Sequence, residues 1–258
     1  MIKKISVILT LYKTPIEKLN NLNSYKKFPL IVFDQEGSIE EKKKIKKILK
    51  RNFRYFFSKR NIGLSGASNY LLKKVHTKYM VFTQPDIIID EKSIMLLLST
   101  ALKYENCAIA APINIPDKDS YGILPEKRNM YEKNKIDSKK ITNKVSIPEG
   151  EICVEVSKGC ALLIKSRYFM DVNFFSKNYF LFWEEIDLCR KFLNKKLSII
   201  VNPNALAFHK QGKSSKLSIN NFFVRCFHSE LSPLYYFNIK KNSPHIYKNI
   251  LKYFFRTI

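Results

Sequence analysis

Short apolar runs alternate with amphipathic stretches through the first half of the chain. Lys3–Thr10 (KKISVILT) and Phe28–Phe33 (FPLIVF) are apolar and of strand length and predict buried strands, and Asn52–Phe57 and Tyr79–Thr83 read as the third and fourth strands. Between them, Ile16, Leu19 and Leu22 mark a short helix. Ile39, Ile45, Ile48 and Leu49 recur at helical spacing beneath a lysine-rich outer face, and Leu71, Leu72 and Val75 mark a third helix. A fourth helix is expected over roughly 92–104, followed by a strand at Cys107–Ala111. Strands and helices in alternation predict a parallel α/β sheet. Ligands of such sheets bind beyond the carboxyl ends of the strands, where Asp34 and the turn Gln84-Pro85-Asp86 fall.

From Pro116 to Gly150 the pattern dissolves into a polar, lysine-rich stretch, which reads as a flap near the acceptor side. Order returns with strands at Ile152–Val156 and Gly159–Ile164. An aromatic-apolar run then leads into a helix, and two more short strands, Leu197–Val201 and Ala205–His209, flank an Asn-Pro-Asn turn. After Ser215 the composition changes: phenylalanines and tyrosines alternate with Lys, Arg and His. One domain is therefore expected over 1–215 and a basic, aromatic helical tail over 216–258. Such a tail suits a helix lying on an anionic membrane. It equally suits helices packed back on the domain with lysines turned outward, and the hydrophobic pattern does not separate the two.

A chain of 258 residues can hold one large domain with a full core. No uncharged apolar run is long enough to span a bilayer. The opening MIKKISVILTLYKTP reads as a first strand rather than a signal peptide, so the expected location is cytoplasmic, with peripheral contact to an inner membrane. The net charge of +24 gives a surface that attracts polyanions, among them nucleic acid, anionic lipid and nucleotide-sugar phosphates. The five cysteines lack C-x-x-C spacing and suit reduced, mostly buried thiols.

Candidate chemistry concentrates after the single tryptophan. The apolar run ending at Trp183 meets three carboxylates, Glu184, Glu185 and Asp187, in a chain otherwise poor in acid. Acids suit the first turn of a helix. Acids that follow bulky apolar residues also suit a cleft in which a raised pKa prepares a general base.

The run Phe180-Leu-Phe-Trp-Glu-Glu-Ile-Asp-Leu-Cys-Arg-Lys191 closely resembles the F-(F/L)-x-(W/G)-E-D-x-D-L-C-x-R motif of glycosyltransferase family 2, especially its bacterial rhamnosyltransferase-like members. The resemblance implies a GT-A fold: a Rossmann-like nucleotide-binding half with a mixed central sheet, joined to an acceptor-binding half. It also implies a nucleotide-sugar donor, a divalent metal (Mg²⁺ or Mn²⁺) and a single inverting displacement. Glu185 falls on the catalytic base, with Glu where the family has Asp. Trp183, Glu184 and Asp187 fall beside the acceptor. Thr10, Asp34, Asn61, Gly63 and Asn69 fall with the donor, Asp34 through V-V-D-N-x-S and the others of the 61–69 run through N-x-G-x-x-x-A-x-N. Gln84 and Asp86 occupy the D-x-D position, and Gln84 replaces its first acid. The resemblance makes Asp86 and His209 metal ligands and puts Lys213 and Ser214 near the phosphates, by likeness to H-x-x-G-x-S. The family's G-x-F-D-E-x-F is replaced by Asn173-Phe-Phe-Ser-Lys-Asn-Tyr179, which lacks the acids.

These features point to an inverting glycosyltransferase that moves a sugar, with rhamnose favoured, from a dTDP- or UDP-sugar to a glycan or lipid-linked acceptor in bacterial surface polysaccharide synthesis. Nucleic acid is not an expected partner, because no binding motif gathers the basic residues. Two alternatives stay open: a basic polyanion- or nucleic-acid-binding protein, and a degenerate transferase homologue without activity.

Overall fold

The computed structural model describes residues 2–116, 121–127, 148–159, 161–209 and 218–237. Most of the expected flap over 116–150 and the chain beyond Phe237 lie outside these residues. Strand β1 (Ile5–Tyr12) runs parallel to β2 (Leu30–Gln35) and β4 (Tyr79–Thr83), and β3 (Arg54–Ser58) lies parallel beside β2. The sheet is mixed beyond β4. Strand β10 (Ala161–Lys165) lies antiparallel between β4 and β6 (Cys107–Ile115). The long strand β11 (Ser198–His209) runs parallel to β6, and β5 (Ile87–Ile89) lies antiparallel at its far edge. The antiparallel β8 (Ile152–Val154) also pairs with β11, while β7 (Tyr121–Gly122) and β9 (Val156–Ser157) form a separate ribbon.

Helices cover both faces, as the two-residue alternation of the strands demands. Val7, Leu9 and Leu11 of β1 point to a core shared with the 3₁₀ segment Ile16–Tyr25, α1 (Ile39–Leu49) and α3 (Glu91–Lys103). Ile8, Ile31 and Phe33 point the other way, to α2 (Gly63–Leu72), α4 (Ser166–Asp171) and α5 (Glu184–Asn194). Each fully buried Leu or Phe of these cores contributes about 1.5–3 kcal/mol of transfer free energy. Ser38 and Asp90 cap α1 and α3 by accepting from the backbone N–H of Glu41 and Ser93.

The expected elements appear, with five differences, the first being that the strand expected over Ile152–Val156 is two, β8 in the main sheet and β9 in the separate ribbon. The Ile16–Tyr25 segment is 3₁₀ rather than α-helical. Helix α2 begins at Gly63, so most of the NIGLSGASN run is helix and not loop. The two strands expected around Asn-Pro-Asn are one strand, β11, whose register against β6 slips between Asn202 and Leu206. The Asn202 side-chain carbonyl accepts from the Asn204 N–H at 2.9 Å, a local turn that leaves the strand bent but continuous. The short edge strand β5 carries no signal of its own, because three isoleucines after Asp86 read equally well as core packing. The four described cysteines are free; Cys107 and Cys189 are buried and Cys226 partly so, but Cys153 is exposed.

The first helix of the expected tail, α6 (Ile219–Tyr236), packs on the domain. Its Ser232 hydroxyl donates to the Leu181 carbonyl at 2.8 Å. The Arg190 guanidinium stacks 3.9 Å from the Tyr236 ring centroid and donates to the Tyr236 carbonyl. The Tyr236 hydroxyl donates to Glu126 at 2.7 Å.

Candidate active site

A cleft of about 690 Å³ opens at the carboxyl ends of β1, β2 and β4. Thr10 and Leu11 from β1, Gln35 from β2 and the turn Gln84-Pro85-Asp86 after β4 form its floor. Asn61, Gly63 and Leu64 at the start of α2 line one side. Lys158, Gly159 and the segment from Phe180 to Glu185 line another, and His209 and the α6 residues Asn221, Val224 and Arg225 complete it. A crevice beyond the strand ends is where an open α/β sheet binds its ligand.

The segment before α5 is the most constrained part of the wall. Phe182 and Trp183 both have left-handed backbones, with φ of 67° and 69°. Bulky residues rarely adopt that region, so the surrounding packing must hold this elbow in place. Trp183 packs 5.2 Å from the Tyr236 ring and 5.8 Å from Phe237. Upstream, the Phe180 carbonyl accepts from the Leu64 N–H at 2.7 Å. Gly63 makes that approach possible: its φ is +78°, and a Cβ there would lie 2.5 Å from the Phe180 carbonyl oxygen.

The elbow delivers Glu184 and Glu185 into the cleft on the first turn of α5. Glu184 is buried, and burial followed by the neighbouring Glu185 charge pushes its pKa well above the ordinary carboxylate range. Burial also raises Glu185. The backbone N–H groups of Glu185 and Gly159 and the charge of Lys158 draw it partway back. One oxygen of each carboxylate, Oε2, has no hydrogen-bond partner. Gly159 permits the contact with Glu185, since a Cβ there would stand 3.2 Å from the Glu185 Cβ. The Gly159 carbonyl accepts from the Gln84 amide at 3.4 Å, so the residue in the D-x-D position reaches the turn that packs against the acid.

Across the cleft, Asp86 is buried and its Oδ1 has no hydrogen-bond partner. His209 Nε2 lies 3.7 Å from Asp86 Oδ2. Carboxylate oxygen and imidazole nitrogen converging on one point, with open space beside them, suit a divalent cation that completes its shell with diphosphate oxygens. Among the described residues no group of three or more His, Cys, Asp and Glu could hold a metal alone.

Of the residues singled out in the sequence, Thr10, Asn61, Gly63, Gln84, Asp86, Glu184, Glu185 and His209 meet in this cleft. Four others do not line it. Asp34 accepts from the Tyr55 hydroxyl at 2.7 Å, and the next residue, Gln35, faces the cleft while its Oε1 accepts from the Ile62 N–H. Asn69 clamps the Phe175 backbone, accepting at 3.0 Å and donating at 2.9 Å. Asp187 pairs with Arg190 at 2.8 Å and Lys191 at 3.3 Å, and Trp183 forms the elbow. These three side chains hold the acid segment in place. Lys213 and Ser214 lie outside the described residues. The sequence reading missed Lys158, Gly159, Asn221 and Arg225, which belong to no motif and reach the cleft only through the tertiary fold. Gln35 was legible as the neighbour of Asp34.

The sequence profile of glycosyl transferase family 2 matches residues 11–154, more than half of the chain, and the chain belongs to that family. It is a glycosyltransferase with a GT-A fold, the class whose members transfer sugars from nucleotide-sugars. Among solved structures, the mannosyltransferase PcManGT from Pyrobaculum calidifontis, in complex with GDP-Man and Mn²⁺, superposes with a TM-score of 0.61 at 14% identity over 96% of this chain and 68% of that one. GalNAc-T7 with UDP, GalNAc and Mn²⁺ superposes with a TM-score of 0.58 at 10% identity over 90% of this chain and 52% of that one. No curated protein sequence matches the chain.

Proposed function

We propose that the protein is an inverting glycosyltransferase in which Glu185 is the catalytic base. The observation that carries this reading is the Glu185 carboxylate, whose Oε2 has no hydrogen-bond partner, on the first turn of α5 in the same cleft as the Asp86–His209 pair. The donor's nucleotide would lie over Thr10, Gln35 and Asn61, with its diphosphate toward Asp86 and His209. An acceptor hydroxyl enters from the Phe182–α6 side. Its oxygen bonds to the anomeric carbon as the bond from that carbon to the diphosphate oxygen breaks. The hydroxyl proton passes to Glu185, and the nucleoside diphosphate leaves. Asp86 and His209 would hold a divalent metal, which when bound neutralises charge on the leaving diphosphate. Lys158 and Arg225 line the same cleft and add fixed positive charge.

The likeness of the Phe180–Lys191 run to rhamnosyltransferase-like members favours dTDP-rhamnose as donor, with UDP-sugars next. A lipid-linked or glycan acceptor in bacterial surface polysaccharide synthesis fits a basic, aromatic C-terminal region.

Thermal unfolding with UDP, dTDP, GDP and CMP, each with and without Mn²⁺, tests the donor site, because a ligand of the native state raises the melting temperature. A metal-dependent rise with one nucleotide is expected, and dTDP would support rhamnose. No rise with any of them would sink the reading. Glu185→Gln should then keep that rise while losing about 10²–10⁴-fold in turnover. Full turnover in this variant would remove Glu185 as the base.

A further inference from the structure

Helix α6 has two faces with different surroundings. On the inner face, His228 stacks on Phe180 with ring centroids 4.6 Å apart, Arg225 lies 5.3 Å over the Phe182 ring, and Ser232 and Tyr236 are buried. The opposite stripe turns Ile219, Phe222 and Phe227 to solvent, 76%, 45% and 45% exposed, at the spacing of one helical face. Such large apolar groups gathered on one surface helix mark an interaction site rather than the scatter normal to a protein surface.

We propose that this outer stripe docks on an anionic lipid bilayer and so sets the cleft mouth at the membrane surface. Three observations favour a bilayer as the occupant. First, the stripe and the cleft wall share one helix: Asn221, Val224 and Arg225 line the cleft one side-chain step from the exposed groups. Second, the charge matches. The chain carries +24, and the sequences flanking α6, 210–218 and 238–258, contain Lys and Arg but no Asp or Glu. Basic residues beside an interfacial helix draw it to anionic headgroups. Third, the 18-residue helix is too short in apolar length to cross a membrane, and no described helix is long and apolar enough to do so. An amphipathic helix with this stripe lies in the interface plane instead. That the docked cleft serves an acceptor carried in the bilayer rests on the transferase reading above; the docking itself does not.

The test is co-sedimentation of the full chain with mixed phosphatidylglycerol–phosphatidylcholine vesicles and with pure phosphatidylcholine vesicles. It compares wild type, Phe227→Ser, and the triple variant Ile219→Ser/Phe222→Ser/Phe227→Ser. Wild type should bind the mixed vesicles far better than the neutral ones, and less so as salt rises. The triple variant should lose about tenfold or more in partitioning, with the single variant between. Its nucleotide-induced rise in melting temperature should stay, as none of the three residues lines the cleft. Equal binding by the triple variant and wild type would overturn the proposal. So would a wild-type chain that binds neither vesicle, the outcome if residues 238–258 of the chain itself cover the stripe. Equal binding to both vesicle types would overturn the anionic preference. Vesicle binding without any nucleotide response would sink the transferase reading and support docking; nucleotide response without vesicle binding would sink docking alone.

Discussion

Gly159→Ala tests whether the cleft depends on a close approach between two chain segments. A Cβ at this position would lie 3.2 Å from the Glu185 Cβ and 3.3 Å from its Cγ. Carbon atoms in contact prefer about 3.5–4.0 Å, so one side must yield by about 0.3–0.8 Å. Helix α5 has little freedom to do so. Its start is fixed by the left-handed Phe182–Trp183 elbow, and it is tied to neighbouring segments by Arg190, which donates to the Tyr236 carbonyl, and Lys191, which donates to the Phe174 carbonyl. The Glu185 side chain is what remains to move. A 1 Å error in a catalytic group costs on the order of 100-fold, so this displacement should cost about 4–40-fold in kcat. The donor's KM should stay within about twofold, because the Asp86–His209 end of the cleft is untouched. Overpacking should lower stability by about 1–2 kcal/mol. Steady-state transfer with the donor identified by thermal shift gives kcat and KM separately. An unchanged kcat in a folded Gly159→Ala protein would refute the argument that this contact positions the acid.

Three further outcomes are expected. Asp86→Asn should abolish the Mn²⁺-dependent part of the nucleotide-induced thermal shift, measured by differential scanning fluorimetry; a full Mn²⁺ response would remove Asp86 from the metal site. Tyr236→Phe removes the hydroxyl that donates to Glu126 and should cost about 1–3 kcal/mol in denaturant unfolding, while a change within experimental error would mean that α6 docks without that bond. Glu184→Gln should change the pH dependence of stability. Burial raises the folded-state pKa of Glu184, so the native protein keeps a proton that the unfolded chain has released. Wild type therefore loses stability as pH rises from the ordinary carboxylate range toward that raised value. The glutamine variant should lose less, and parallel melting-temperature profiles from about pH 5 to 8 would contradict the shift.

The order of strands and helices was legible because β1, β2 and β4 are short, buried on both faces and separated by periodic helices. So was the acid turn, since Glu184 and Glu185 follow an apolar run in a chain with few acids. Local pattern did not reach the contacts made across the fold. Asn69 sits in a run that implies nucleotide binding, yet its amide is spent on the Phe175 backbone, because α2 starts earlier than the loop reading allows and carries that side chain to the far face. Asp34 falls at the carboxyl end of β2, but Tyr55 on the neighbouring strand takes its carboxylate and leaves Gln35 to face the cleft. Lys158 and Arg225 come from segments with no motif at all. For the tail, periodicity left membrane contact and packing on the domain both open. Among the described residues, α6 has an inner face that packs and an outer face that stays exposed, a division that a hydrophobic count along the sequence cannot make.

The pairing of Glu184 with Glu185 then gives the cleft a division of labour. Two adjacent buried carboxylates resist ionising together, so they release their protons as a coupled pair rather than independently. The environments of the two differ. Glu184 lies deeper, with an unpartnered oxygen and no cation drawing its pKa down. Glu185 stands next to the Gly159 N–H and feels the Lys158 charge, both of which favour its ionised form. Burial disfavours the ionised form at both, and at Glu185 a cation and the Gly159 N–H oppose that effect, as the proposed base requires. A family member with Asp in place of Glu185 would have to bring the acceptor closer by one methylene. The contact with Gly159 runs through the Glu185 Cβ and Cγ, atoms that an aspartate would share. The glycine, the lysine and the two acids thus lie together, with the turn between β9 and β10 packed against the group at the start of α5.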